Sequence, residues 1–408
     1  MRLITAFLCL LGLASARLSY GGVYYDFNNG CADLSPSAGP KPFLGKLITM
    51  NGEVYAMSVL THQVLKIEED QAGNPSCSVY GYLPVSLGSS HPGISGGTFS
   101  LSMDADPSGN IYISNTGAGP FSTDYGSIWK LSGDALQRPV RGERLYASTA
   151  QYGLPSGVVV MWRHNSLLYT SETDGVIYRL RLLDNSVSVW LDIALLKGTG
   201  RVPGQSPDAS INNTNLLGGP IGATGIAIST DGRHAFVGVG DTGLVLRVDI
   251  DQTTGDAGDV EISGKSPEHT TEGVVISASG LAVYWTSVFA NGTNLSPNSA
   301  QDGSYQGGVL PGNAVWEANL QTGTSIRFYD ARMGAVTGLA SARGVRPGGA
   351  RQLFGANSAL SALPAWPTGA IRNDVIRADY STAGTPAAVG PAFVGATNNA
   401  HIFYLNIE

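Results

Sequence analysis

Glu272 is the acidic residue best placed to do chemistry. It closes the run His269-Thr270-Thr271-Glu272 and is followed by Gly273 and a short apolar strand. A carboxyl group buried at such a strand start is pushed toward its neutral form, and can act as general acid, general base or hydrogen-bond partner. Ser156, Thr224 and Thr337 hold the same place ahead of Gly157, Gly225 and Gly338. A second set, Asn115, Glu172, Asp241 and Asn357, follows a strand containing Tyr or Phe in each case.

Two kinds of chemistry are open to these groups. Hydrogen bonds from Glu272, Thr224 and Asn357 to a developing oxyanion would make a catalytic set, with Ser156, Asn115 and Thr337 against the substrate. Alternatively, Glu272, Asp241 and Glu172 could offer carboxylate oxygens to Ca or Zn, although Ca²⁺ wants six or more oxygen ligands and the Ser and Thr positions are poor ones. No nucleophile elbow, paired-cysteine metal motif or phosphate-cradling loop is present. The first expectation is therefore a site without a cofactor. His62, His91, His164 and His234 fall at turns or edges, where solvated surface groups are expected.

The elements that must position these residues repeat along the chain. The stretch 222–262 reads as four short strands separated by Asp231-Gly232, Asp241-Thr242-Gly243 and Gly255-Asp256. Gly and Asp tolerate the positive φ of tight hairpin turns, so this is one antiparallel four-stranded sheet. Its grammar recurs at 47–70, 101–133, 157–193, 273–330 and 337–384, with first-turn markers Gly52, Gly109, Asn165, Gly232, Gly280 and Gly349. Six copies of a sheet that cannot bury its own faces imply an all-β six-bladed β-propeller with four-stranded antiparallel blades. The strands at 18–27 and 400–407 have no blade of their own. Pairing both into the last sheet removes exposed edges and closes the ring.

In such a ring the innermost strands line a central channel, and the loops entering them share a face with the loops after the second strands. Loops held by a rigid scaffold carry function. The long ones here, 115–126, 197–223, 288–312 and 357–369, contain Phe121, Tyr125, Phe289, Tyr305 and Trp366, which would wall an apolar pocket for a hydrophobic small molecule. Ordinary packing of aromatics on the blade tops is the other reading of them.

The chain of 408 residues opens with Met1-Arg2, an apolar run to Leu13 and Ala14-Ser15-Ala16, the three parts of a secretory signal peptide over 1–16. The expectation is a secreted protein, with 17–408 as one domain and no membrane span. Of three cysteines, Cys9 leaves with that segment, and Cys31 and Cys77 remain as a disulfide pair. Asn212, Asn291 and Asn294 stand in glycan acceptor sequences, the last weakened by Pro297. With 24 Lys and Arg against 31 Asp and Glu and no basic run, a nucleic-acid partner is not expected.

The segments ADPSGNIYISNTG, GVIYRLRLLDNSVSVW and TGIAISTDGRHAFV resemble the gluconolactonase, regucalcin and strictosidine-synthase-like superfamily of six-bladed propellers. The resemblance is one of repeat grammar. Metal-dependent members hold a channel cation with Glu, Asn and Asp, and the Asn typically precedes an inner-strand Gly, where this chain has Ser156 and Thr224. That departure puts a metal-dependent lactonase or esterase in doubt. Secretion, altered metal positions and aromatic loops are similar to those of secreted fungal propellers that act as hetero-Diels-Alderases, joining a tropolone quinone methide to a sesquiterpene. A non-catalytic binding propeller is the third class the pattern allows.

Overall fold

Alternating β-branched and aromatic residues between Gly- and Asp-rich turns produce strands throughout. The computed structural model describes residues 18–27, 31, 44–59, 61–84, 99–116, 125–199, 221–267, 271–277, 279–291, 309–329, 335–341, 352–358 and 401–407. Among them there is no α-helix, only short 3-10 turns, and no helix long and apolar enough to cross a membrane. Five of the six expected first-turn markers adopt positive φ, from 45° at Asn165 to 81° at Gly52 and Gly109; Gly349 lies outside the described residues.

The strands form six sheets, five of four strands and one of five. Strand β1 (Leu18–Asp26) belongs to the last of them. The first sheet runs outward through β2 (Leu44–Met50), β3 (Glu53–Ser58), β4 (Gln63–Glu69) and β5 (Pro75–Tyr82). The second contains β6 (Phe99–Ala105), β7 (Ile111–Thr116) and β8 (Ser127–Leu131). The two-residue strand β9 (Val140–Arg141) departs from the expected four-stranded blade: it pairs parallel with β5 as a fifth strand of the first sheet. Next, β10 (Glu143–Ala147) completes the second sheet. The third sheet is β11 (Pro155–Met161), β12 (Ser166–Ser171), β13 (Val176–Arg181) and β14 (Val187–Leu191). The fourth is β15 (Ala223–Ile228), β16 (His234–Val239), β17 (Leu244–Ile250) and β18 (Ala257–Lys265). In the fifth, β19 (Val274–Ile276), β20 (Ala282–Asn291), β21 (Val309–Asn319) and β22 (Ser325–Tyr329) follow in order.

The last sheet joins both ends of the chain, as expected. From the channel outward it runs β23 (Ala335–Ser341), β24 (Gln352–Ser358), β25 (His401–Ile407) and β1. Strand β24 pairs directly with β25 from Gln352↔Asn406 to Asn357↔His401, and β25 supplies Ile402 and Leu405 to the buried face. The segment 370–384, expected in this sheet, lies outside the described residues.

Inner strands β2, β6, β11, β15, β19 and β23 contact one another in that order and back to β2. The core follows the same circuit. It consists of six apolar clusters, each shared by two neighbouring sheets; Val159, Leu168, Ile226 and Val237, for example, lie between the third and fourth. This closed ring is a β-propeller.

Hydroxyl groups fasten neighbouring sheets to one another at the level of the inner strands. Ser114 donates to the Ser156 carbonyl and Thr170 to that of Thr224, while Thr224 Oγ1 donates to Thr271 O at 2.7 Å and Thr337 Oγ1 to Leu44 O at 2.5 Å. Strand approach at this level is close enough to require glycine. A Cβ on Gly225 would lie 2.1 Å from the Glu272 carbonyl oxygen and 2.8 Å from Val274 N. Both are backbone atoms of a packed ring and cannot move aside. Gly225→Ala is expected to cost about 2 kcal/mol in chemical denaturation.

Candidate functional site

Register slips repeat at the channel-mouth end of the inner strands, between Leu44 and Leu47, Ser100 and Ser102, Pro155 and Val158, Ala223 and Ile226, and Val336 and Gly338. Such bulges re-aim the side chains beside them. Ser156, Thr224 and Thr337 sit in three of these slips. Glu272 stands just ahead of β19, where its N–H donates to Thr286 O at 3.0 Å and Gly273 accepts from Thr286 N at 2.9 Å.

Backbone bonds on this face tie the third, fourth and fifth sheets together. Gly222 N donates to Glu172 O at 2.7 Å, Asp241 N to Ile221 O at 2.9 Å, and Thr271 N to Gly240 O at 3.1 Å. Glu172 follows β12, and Asp241 lies in the 3-10 turn Gly240–Thr242 after β16. The result is that Glu172, Asp241 and Glu272, distant in sequence, face one another electrostatically. Burial pushes the Glu172 carboxyl up, a hydrogen bond from Ser156 opposes the shift, and the Asp241 charge adds to it. Glu272 is pushed well above the usual carboxylate range by burial and then by the charges of Glu172 and Asp241.

The hydroxyls expected beside them have other partners. Thr224 is buried and bonds Thr271 O and, at 3.2 Å, Gly238 O; Thr337 bonds Leu44 O. Both act as clasps between inner strands, whereas Ser156 donates to Glu172. Asn115 bonds Ser100 Oγ at 3.2 Å on the side of the ring formed by the second sheet. Asn357 is placed on β24 opposite Val336 and His401. Tyr125 is half-buried ahead of β8. Phe289 stands on a strand and not in a loop, because β20 and β21 extend as a ribbon that pairs Phe289 with Pro311 and Asn291 with Val309. Phe121, Tyr305, Trp366, Asn212, Asn294 and residues 1–16 lie outside the described residues.

Sequence reasoning missed three groups. His62 is 2% exposed and is no surface group. Lys46, on inner strand β2, donates from Nζ to Val274 O at 2.6 Å and so reaches past β23 to the fifth sheet; burial lowers its pKa to about 8, with the Asp104 charge opposing. Asp104, on β6, accepts from Val160 N at 2.8 Å and is pushed up by burial. Charged residues inside otherwise apolar inner strands, LGKLITM and FSLSMDA, were the available signal.

The fit of this site to a cation follows from its donors. One Glu172 oxygen accepts a hydrogen bond from Ser156 Oγ, and Asp241 Oδ2 accepts one from Ile221 N at 2.7 Å. Among the described residues no three His, Cys, Asp or Glu side chains are grouped to hold a metal ion. Among the described residues, the three carboxyl groups by themselves do not assemble a site for Ca or Zn.

No family model matches the chain, and no curated protein matches it. Among solved structures it is similar to the PQQ-bound aldose sugar dehydrogenase of Streptomyces coelicolor, at 11% identity, TM-score 0.48 and coverage of 97% of this chain and 99% of that one. It is also similar to a luciferin-regenerating enzyme (9% identity, TM-score 0.48, 96% and 97% covered). A protein assigned as a gluconolactonase gives 10% identity, TM-score 0.47, and 97% and 93% covered. At that level the likenesses carry no activity across, and the β-propeller rests on strand order and ring closure alone.

Proposed function

We propose that this is a six-bladed propeller enzyme that binds a neutral, largely hydrophobic small molecule at the channel mouth and donates a hydrogen bond to it from a protonated Glu272. The supporting observation is the convergence of Glu172 and Asp241 on Glu272, which favours the neutral acid there. A carboxylic acid held neutral in a buried site is a strong donor to an oxygen on which negative charge develops. Secretion agrees with the signal-like start of the chain and with the Cys31–Cys77 disulfide.

The reaction class that asks least of such a site is a cycloaddition. In a hetero-Diels–Alder step, a heterodiene such as a quinone methide and an alkene form one C–C and one C–O bond together. No atom is lost and no nucleophile is required. Holding the two reactants in near-attack geometry lowers the barrier, and a hydrogen bond from Glu272 to the heterodiene oxygen lowers it further.

The test compares the wild type with Glu272→Leu and Glu272→Gln on pairs of quinone methide precursors and terpene alkenes, and on lactones with and without added Ca²⁺. The expected outcome is cycloadduct formation by the wild type, a loss of at least about 100-fold in kcat/KM for Glu272→Leu, which removes the donor, and a smaller loss in Glu272→Gln, whose amide still donates but cannot ionise. Because the neutral acid is the working form, the wild-type rate should fall as pH rises through the Glu272 titration. Lactone turnover that depends on Ca²⁺ would instead establish a metal-dependent hydrolase and sink this reading.

A further inference from the structure

His62 opens the turn into β4 with a left-handed backbone, φ 56°. Its Nδ1 lies 2.9 Å from Ser100 Oγ, at the start of β6, and 3.5 Å from Asn115 Nδ2, at the end of β7. Asn115 Nδ2 also donates to Ser100 Oγ at 3.2 Å. All three residues are buried, at 2%, 0% and 1% exposure. They sit on the channel-mouth face, between the first and second sheets.

The contacts around Nδ1 bear on the tautomer. The Ser100 hydroxyl, which accepts from Asn115, can serve either tautomer, because it has a second lone pair as well as a hydrogen. An amide NH₂ can only donate, so the Asn115 Nδ2 contact points a donor at Nδ1 and assigns it the acceptor role. A neutral imidazole whose Nδ1 accepts must carry its proton on Nε2. Burial lowers the His62 pKa to about 4, so the ring is neutral at ordinary pH. His62 Nε2 is itself buried and has no hydrogen-bond partner among the described residues. An unpaired buried N–H and a left-handed non-glycine backbone each cost stability, and such costs gather where a ligand is bound.

We propose that His62 is a ligand-binding residue whose Nε2–H receives a carbonyl oxygen of a neutral small molecule at the channel mouth. The neighbours Ser100 and Asn115 carry no charge and the imidazole stays neutral, so the site matches a carbonyl and not a carboxylate. The inference deepens the reading above by naming a substrate group. It rests on that reading only for the mouth as the binding face, not for the role of Glu272.

The experiment uses the full chain labelled with ¹⁵N-histidine and long-range ¹H–¹⁵N correlation at pH 7. The expected spectrum shows one imidazole with a bare Nδ1 and a protonated Nε2 that does not titrate down to pH 5. Cyclohexanone should shift that Nε2–H saturably, in the wild type and in Glu272→Gln alike, while sodium acetate should not. His62→Asn keeps a residue that tolerates the left-handed backbone but replaces the imidazole Nε2–H by a shorter amide that does not reach its position, and should bind cyclohexanone at least tenfold more weakly. An Nδ1–H tautomer, no saturable ketone shift, a preference for acetate, or unchanged binding by His62→Asn would each overturn the proposal. A saturable shift with no turnover of any reactant pair would leave this site standing and remove the Glu272 reading instead.

Discussion

Reduction of the Cys31–Cys77 bridge is expected to lower the free energy of unfolding by about 4 kcal/mol, as is Cys77→Ser. The two cysteines are 46 residues apart, and cross-linking them removes that loop's freedom from the unfolded chain. Position adds to the effect. Cys31 follows β1, the outer strand of the last sheet, and Cys77 lies on β5 of the first sheet. Both pack in the apolar cluster that joins those two sheets, with Tyr25, Phe27, Leu47 and Ile67. The bridge therefore spans the seam where the ring closes. Urea denaturation with and without reductant should show the loss in the wild type and no response to reductant in Cys77→Ser. A difference below about 1 kcal/mol would mean that strand pairing at the seam holds the closure unaided.

Glu317→Gln is expected to stabilise the protein by about 3 kcal/mol at pH 8 and to leave it nearly unchanged at pH 4. Glu317 lies on β21 opposite Tyr284 and Ile326, is 3% exposed, and its Oε2 is buried without a partner among the described residues. Burial pushes its carboxyl up to about 7, from an ordinary 4.5. The sign follows from proton binding. Between pH 4.5 and about 7 the folded chain holds a proton that the unfolded chain has released, so stability falls as pH rises through that window and stays low above it. Glutamine has the shape of the acid but cannot ionise, so the slope should disappear. Thermal melts of both proteins from pH 4 to 8 test this, and parallel curves would contradict it.

The channel carboxyls have the same sign as Glu317. Glu172 and Glu272 are both pushed up, burial being the first cause in each. High pH would therefore oppose the fold and, on the proposed mechanism, also remove the working donor. Loss of activity and loss of structure can be separated in Glu317→Gln, which should hold the fold at a pH where the Glu272 titration alone is read.

What the amino-acid sequence determined by itself is whatever depends on neighbours along the chain. Runs of β-branched and aromatic residues such as HAFVGV and VIYRLR specify strands, Gly52, Gly109 and Gly232 specify the turns between them, and the repeat of that pattern specifies sheets that must pack on one another. The pairing of Cys31 with Cys77 and the joining of the two chain ends in one sheet were legible for the same reason, since few partners were available. Tertiary structure alone decided which polar groups meet. Glu172, Asp241 and Glu272 belong to three sheets, and only ring closure sets their separation and raises the pKa of Glu272. The clasp roles of Thr224 and Thr337 depend on a carbonyl from the next inner strand, in the latter case 293 residues away. His62 at a turn looked solvated, and is buried because Ser100 and Asn115 of the second sheet close over it. Local patterning has a range of a few residues, whereas desolvation and charge proximity are properties of the assembled ring.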